Sequence, residues 1–360
     1  MEDLMSLKFT HGGNIRKFRE QFGKKNVIDF SANINPLGPS QRVLDIVRRD
    51  YNVVVHYPDT DCEHLRKELA QYYDIDAKNI IVGNGSTEII YLIARTLCPK
   101  KAAILVPTFS EYELALNTAN LKFIKRLEKD NFEFPDNKVF EEINNVDLLF
   151  LCNPNNPTGN LIPEESLLEL TEIARKKKKF VILDETFIDF CLARSVLEQA
   201  PENKYLIILR SFSKLWGLPG LRLGYAAGHS QTIGLLKKYK EPWTVNALAQ
   251  KAGVESLRDK EHFDKSVRLV KNESRFLFEK ISKIQGLKPY PPSANFIFVR
   301  IIADISSKEL YFRCGRKGII IRDCSNFRGL NNKFIRVAVR TRSENLKLLK
   351  VLKESLNGKR

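Results

Sequence analysis

The sequence predicts an α/β chain in which a large, mostly parallel sheet covered by helices is followed by a smaller α+β domain. Three observations point there. Between about residues 79 and 211, short apolar runs alternate with helix-like stretches. Ser86 and Thr87, Phe109, Asn156, Asp184 and Ser211 each follow directly on an apolar run, which places them at the carboxyl edge where open α/β sheets bind ligands. Past residue 246 the alternation gives way to strands and helices in mixed order. The expected organisation is an N-terminal arm over 1–38 that contributes to the small domain and the site, a large domain over 39–245 and a small domain over 246–360.

Composition sets the frame. With 360 residues and 43% hydrophobic content, the chain can fill about two cores. Its net charge of +16 raises a nucleic-acid binder as an alternative, but the excess is spread along the chain. The densest run, Arg175 to Lys179, closes a predicted helix, where cations complement the helix dipole. A basic surface also attracts small anionic substrates. No apolar run approaches the roughly 20 residues of a membrane span, and the opening Met1-Glu2-Asp3-Leu4-Met5 lacks the order of a secretory signal. The expectation is a cytoplasmic chain with neither membrane nor nucleic acid as partner. Six cysteines without a Cys-x-x-Cys pair read as reduced thiols, so no metal site is expected.

Taken in order, Thr10 to Asn14 and Asp29 to Gly38 are polar, glycine-bearing turns that suggest an arm lying over something. Its lone His11 is of a type more often structural than catalytic. A helix near 41–49 precedes the turn His56-Tyr57-Pro58-Asp59, and a second helix runs from Glu63 to Tyr73. Asn79 to Val82 is a strand, Gly83-Asn84-Gly85-Ser86-Thr87-Glu88 a polar loop, and Ile89 to Leu97 a helix; this order points backbone N–H groups at a phosphate, although any tight turn also uses Gly-Asn-Gly. Ala102 to Val106, Phe123 to Arg126 and Asp147 to Leu151 are further strands, the last running into Asn153-Pro154-Asn155-Asn156-Pro157-Thr158-Gly159. A helix over Pro163 to Lys178 begins with acids at its positive end, and the strand Phe180 to Leu183 leads into Asp184-Glu185-Thr186-Phe187. From Thr232 to about Ile284 the chain is mostly helical. Strands at Asn295 to Ile301, Ile319 to Arg322 and Phe334 to Arg340, with helices near 308–316 and 344–356, complete it.

The stretch from Ser211 to Gly224 follows the apolar run Leu206 to Leu209 and carries an amine, two hydroxyls and a guanidinium. Flanked by Leu215 and Trp216, Lys214 would be partly desolvated, which favours a neutral amine able to form a Schiff base with an aldehyde. Ser211, Ser213 and Arg222 would hold an anion beside it, the planar guanidinium fork giving two bonds to a phosphate. An aldehyde that carries its own phosphate is pyridoxal 5'-phosphate. The bland alternative is a solvated lysine in a chance Ser-x-Ser-Lys string, so the other parts decide.

Those parts are Asn153 to Gly159, Asp184-Glu185-x-Phe187, Ser211-x-Ser213-Lys214 and Gly220-Leu221-Arg222-Leu223-Gly224. In this order they resemble the fold type I pyridoxal-phosphate enzymes of the aminotransferase class I/II group, over essentially the whole chain. The resemblance implies that Lys214 forms the Schiff base, Asp184 pairs with the pyridine nitrogen, Asn156 donates to the ring hydroxyl and Phe109 stacks on the ring. It puts the phosphate among Gly85, Ser86, Thr87, Ser211, Ser213 and Arg222, with Tyr57 supplied by the second subunit of a homodimer. Phe187 stands where many members carry tyrosine, so one hydrogen bond to the ring oxygen would be missing, and Ser213 stands where threonine is common.

His11-Gly12-Gly13-Asn14, Ser31 to Gly38 and Pro242 to Ala249 narrow the resemblance to members that decarboxylate O-phospho-amino acids, with the histidinol-phosphate aminotransferases close by. The substrate this implies is L-threonine O-3-phosphate, with L-serine O-phosphate as a further candidate. Arg322 and Arg336 match the family's substrate-binding arginines, one for a carboxylate and one for a phosphate, with His11 and Asn33 closing the site from the arm. Orientation decides the reaction, since the bond at Cα held perpendicular to the cofactor ring is the one that breaks. Transfer of an amino group involving histidinol phosphate is the alternative, and a non-enzymatic binding protein that senses the cofactor is the second.

Overall fold

The computed structural model describes residues 11–191 and 195–357; the first ten residues of the expected arm lie outside the described residues. The chain opens with α1 (Ile15–Phe22) and the two-residue strand β1 (Ile28–Asp29). Two helices, α2 (Gln41–Arg49) and α3 (Glu63–Tyr73), lead to β2 (Ile80–Gly83) and α4 (Gly85–Leu97). There follow β3 (Lys101–Val106), α5 (Glu111–Ala115), β4 (Asn120–Lys125), α6 (Asp136–Glu142), β5 (Leu148–Cys152), α7 (Glu164–Lys177), β6 (Phe180–Asp184) and β7 (Leu206–Ser211). After β8 (Gly224–Gly228) come α8 (Ser230–Tyr239), α9 (Ala247–Arg258) and the long α10 (Lys260–Ile281). The remainder is β9 (Leu287–Pro289), β10 (Phe296–Ile301), α11 (Ser307–Arg316), β11 (Ile319–Ile320), β12 (Arg322–Asp323), β13 (Phe334–Ala338) and α12 (Arg342–Asn357).

Seven strands form the large sheet in the order β2-β8-β7-β6-β5-β3-β4. Its apolar runs are buried on both faces because successive side chains point to opposite sides. Leu149, Leu151, Val181, Leu183, Leu206 and Ile208 pack on one face with residues of α3, α7 and α9. Leu148, Phe150, Ile182, Ile207 and Leu209 pack on the other with α4 and α8. Six of these strands run in one direction; β8, between β2 and β7, is antiparallel to both. The sequence reading had no strand at Gly224 to Gly228, since Gly-Tyr-Ala-Ala-Gly has neither the β-branched content nor the length of a clear strand.

A four-stranded sheet, β12-β13-β10-β9, carries the second core, in which Ile297, Val299, Ile335 and Val337 meet α10, α11 and α12. Here the sequence expectation is corrected. Ile319 to Arg322 is two strands in different sheets: β11 pairs in parallel with the arm strand β1, whereas β12 pairs with β13. The arm thus lies against the small sheet, with Phe30 buried in its core. Among the described residues no helix is long and apolar enough to cross a membrane.

Candidate active site

At the carboxyl edge of the parallel strands, the arm, the large sheet and the small sheet enclose a cavity of about 390 Å³. His11, Asn33, Ser86, Thr87, Phe109, Asn156, Asp184, Phe187, Ser211, Ser213, Lys214, Arg222, Arg322 and Arg336 all line it. Two candidates do not. Gly85 lies immediately behind the lining, and Tyr57 is 83% exposed on the outer surface, its ring 5.0 Å from that of Trp243.

Lys214 follows the end of β7, and its backbone is fixed from the arm: Asn35 N–H donates to the Lys214 carbonyl at 3.0 Å, and the Asn35 amide donates to the Leu215 carbonyl at 2.7 Å. Burial pushes the Lys214 amine down to about 8, aided by the cations Arg336 and Arg222 and opposed by Asp184. The amine sits 5.5 Å from the centre of the Phe187 ring, a face that offers no hydroxyl. Asp184 ends β6 and is buried; both its oxygens are engaged, Oδ1 by the Thr186 amide at 2.8 Å and Oδ2 by the Tyr112 hydroxyl at 2.7 Å. Burial raises its pKa, while hydrogen bonds from Thr186 and Tyr112 and the nearby Lys214 act the other way.

The anion cradle differs from the expected loop. Helix α4 begins at Gly85, so Ser86 and Thr87 lie in its first turn, where amides have no partner within the helix and the dipole is positive. Glu88 stabilises that start by accepting from the Asn84 amide at 2.5 Å. Two glycines make room. A Cβ on Gly224 would meet the Gly85 carbonyl carbon at 2.7 Å, and one on Gly85, whose φ is +78°, would press on the Arg222 guanidinium carbon at 3.1 Å. Arg222 itself holds a φ of +58°, a conformation costly for a side chain of its size.

On the small-domain side, Arg322 and Arg336 are direct cross-strand partners in the β12–β13 pair, so their side chains share one face. Both are buried, and burial lowers the pKa of each, Arg336 to about 10. Arg336 donates to the Asn156 side-chain oxygen and, at 2.7 Å, to the Ser31 carbonyl; Arg322 donates to Asn326 at 2.8 Å. No ion pair joins either to a carboxylate among the described residues.

Four contributors escaped the sequence reading. Tyr112 holds Asp184, and Asn35 holds the Lys214 backbone. Glu111 is hydrogen-bonded to His11 Nε2 at 2.8 Å and accepts from the Tyr91 hydroxyl at 2.8 Å, while Glu113 pairs with Arg328 at the cavity rim. The His11 bond, more than the Tyr91 bond, holds Glu111 below the usual carboxylate range.

This sheet, with a half-buried lysine beside a buried aspartate at its carboxyl edge, defines a fold type I pyridoxal-phosphate enzyme, and the chain belongs to the aminotransferase class I and II family, whose model matches residues 25–352. Pyridoxal 5'-phosphate is the cofactor of that family. The donor set fits it: an amine for the aldehyde, a carboxylate for the ring nitrogen, and a helix start, hydroxyls and a guanidinium, cleared by two glycines, for the phosphate. The chain is 35% identical over 357 residues to the threonine-phosphate decarboxylase of Salmonella typhimurium, covering 97% of each. Among solved structures it is similar to L-threonine-O-3-phosphate decarboxylase from Porphyromonas gingivalis, with TM-score 0.82 and 27% identity over 91% of this chain and 99% of that one. The histidinol-phosphate aminotransferase from Clostridium acetobutylicum gives TM-score 0.85 and 31% identity, over 91% of this chain and 98% of that one.

Proposed function

We propose that this chain decarboxylates an O-phospho-amino acid, L-threonine O-3-phosphate first and L-serine O-phosphate as a further substrate. The product of the first would be (R)-1-aminopropan-2-yl phosphate, a building block of the cobalamin nucleotide loop. The observation that carries this is the Arg322–Arg336 pair. Like charges directly opposite on neighbouring strands repel, and these two are buried without a carboxylate between them. Such a pair calls for a ligand with two anionic ends, and a phospho-amino acid has a carboxylate and a phosphate.

Bound pyridoxal phosphate supplies an electron sink that stabilises the negative charge left at Cα when carbon dioxide departs. The chain's own residues do the rest. Lys214 offers its amine to the cofactor aldehyde, and Asp184 keeps the ring nitrogen protonated. Ser86, Thr87, Ser211, Ser213 and Arg222 hold the cofactor phosphate. Asn156, whose carbonyl oxygen is taken by Arg336, has its amide hydrogens left to donate to the ring hydroxyl. Arg322 and Arg336 fix the substrate's two ends and so set which bond at Cα stands perpendicular to the ring. His11 and Asn33 cover the site from the arm.

A second copy of the chain completes the reading. Tyr51, Val54 and Val55 of the turn before Tyr57 are exposed, as are Tyr57 and Trp243, whose rings meet at 5.0 Å, and such apolar side chains suit a surface that another chain covers. In a homodimer Tyr57 would reach the phosphate end of the partner's cavity. The reading places the enzyme in the cytoplasm.

Histidinol-phosphate aminotransferase is the second reading, favoured by the similarity to the Clostridium enzyme. Glutamate, with two carboxylates, would also satisfy the arginines. The test is turnover of the purified holoenzyme with phosphothreonine, phosphoserine and histidinol phosphate, each with and without 2-oxoglutarate. Carbon dioxide release from phosphothreonine without a keto acid is expected, and R322Q should lower kcat/KM on the order of a hundredfold. Turnover only with a keto acid would transfer the assignment to the aminotransferase.

A further inference from the structure

Among the residues lining the cavity, one buried side chain with no role assigned above in holding a ligand touches two of the expected cofactor contacts at once. Tyr112, on the short helix after β3, is almost fully buried. Its hydroxyl donates to Asp184 Oδ2 at 2.7 Å. Its ring stacks on Phe150 of β5, 4.1 Å away and 16° from parallel, and meets the edge of Phe109 at 5.7 Å and 81°. The phenol is therefore fixed on two sides before any ligand arrives, and its single hydrogen has a carboxylate oxygen to meet.

We propose that Tyr112 is a positioning residue: by donating to Asp184 it holds that carboxylate ionised and aimed at the cofactor's ring nitrogen, and so sets how strongly the ring withdraws electrons. This rests on the reading that Asp184 pairs with pyridoxal phosphate. The physical ground is the asymmetry of Asp184. Its Oδ1 is met by the Thr186 amide, a backbone donor that no substitution of side chains removes, whereas its Oδ2 accepts from the Tyr112 hydroxyl, which one substitution takes away. A buried carboxylate that loses a donor becomes more basic and freer to turn. It would then take a larger share of the proton it shares with the ring nitrogen, and the ring would become a weaker sink. The site also has Phe187 in place of a tyrosine, so Tyr112 is the phenol left to tune the ring, and it acts from the nitrogen side.

Y112F separates this from packing, because the ring stays against Phe150 and Phe109 while only the hydroxyl goes. F150L is the converse, disturbing the stack and keeping the hydroxyl. Wild type, Y112F, F150L and K214A are each titrated with pyridoxal phosphate, and the visible absorbance of the loaded proteins is followed against pH. Wild type should bind and K214A should give no comparable visible band. Y112F should bind roughly tenfold or more weakly, the loss expected for a hydrogen bond to a charged group. Its visible band should change at a pH about half a unit or more higher than wild type, because a less electron-poor ring holds the neighbouring proton longer. Its kcat should fall with little change in KM. F150L should lose thermal stability and keep the wild-type midpoint. A folded Y112F with wild-type affinity and midpoint overturns the proposal, as does an F150L midpoint that moves as far as that of Y112F. A wild-type chain that takes up no cofactor defeats the functional reading itself, and the role of Tyr112 falls with it.

Discussion

At Lys214 burial and two neighbouring guanidiniums outweigh the attraction of Asp184, leaving an amine that titrates near 8 where an exposed lysine titrates above 10. The sign follows directly. A depressed lysine pKa means the neutral form dominates only above that value, so the amine is mostly protonated at pH 6.5 and mostly free at pH 9. Cofactor capture by the apoenzyme, followed as growth of the visible band, should accelerate with pH through a midpoint near 8. A flat rate across this range would show that the amine is not the group that captures the aldehyde. Lys214 and Asp184 were legible in the sequence because each sits in a compact string of unusual residue types after an apolar run. Tyr112 was not, since a tyrosine at the second position of a short helix looks like any core aromatic. Glu111 was hidden for a different reason: its partner His11 lies a hundred residues away in sequence.

Elements show where local pattern fails as a guide. The parallel strands were legible because a strand buried on both faces must be apolar throughout. Strand β8 was not, because its composition is set by what crosses it. Gly224 lies where the start of α4 passes, and the missing side chain lets the Ser86 and Thr87 end of that helix sit beside Arg222. G224A should therefore weaken cofactor binding on the order of tenfold or more, because forcing atoms into a packed site displaces them by fractions of an ångström. Titration of the variant checks this, with far-UV circular dichroism to confirm folding; unchanged affinity would mean the cradle yields without cost. The split of Ile319 to Arg322 has the same character. Ile319 and Ile320 serve the arm, and Arg322 two residues later serves the cavity. A one-dimensional pattern records an extended run in either case.

For the whole molecule, the exposed surface around Tyr57 and Trp243 makes association a testable property. Light scattering on the purified protein should give twice the mass of one chain, the exposed apolar side chains there being the ones a second copy would cover. Y57A should keep that mass while binding the cofactor more weakly, and a monomer with full cofactor affinity would remove the shared-tyrosine reading. Homodimerisation had entered the sequence reading only through resemblance, as no periodicity marks a surface that another copy covers. The two-layer organisation was visible in the change of pattern after the large sheet, but the return of the arm to the far end of the chain was not.

That return orders the birth of the enzyme. Ile28 and Asp29 can bind Ile319 and Ile320 only once both small-domain residues, far along the chain, have been made. The strand Ile28–Asp29 in the arm must therefore wait for its partner, with the large sheet free to form first. A chain halted before that point would have its lysine in place and this edge of its cover unfastened, so competence to bind substrate should arrive only after Ile320 has been added.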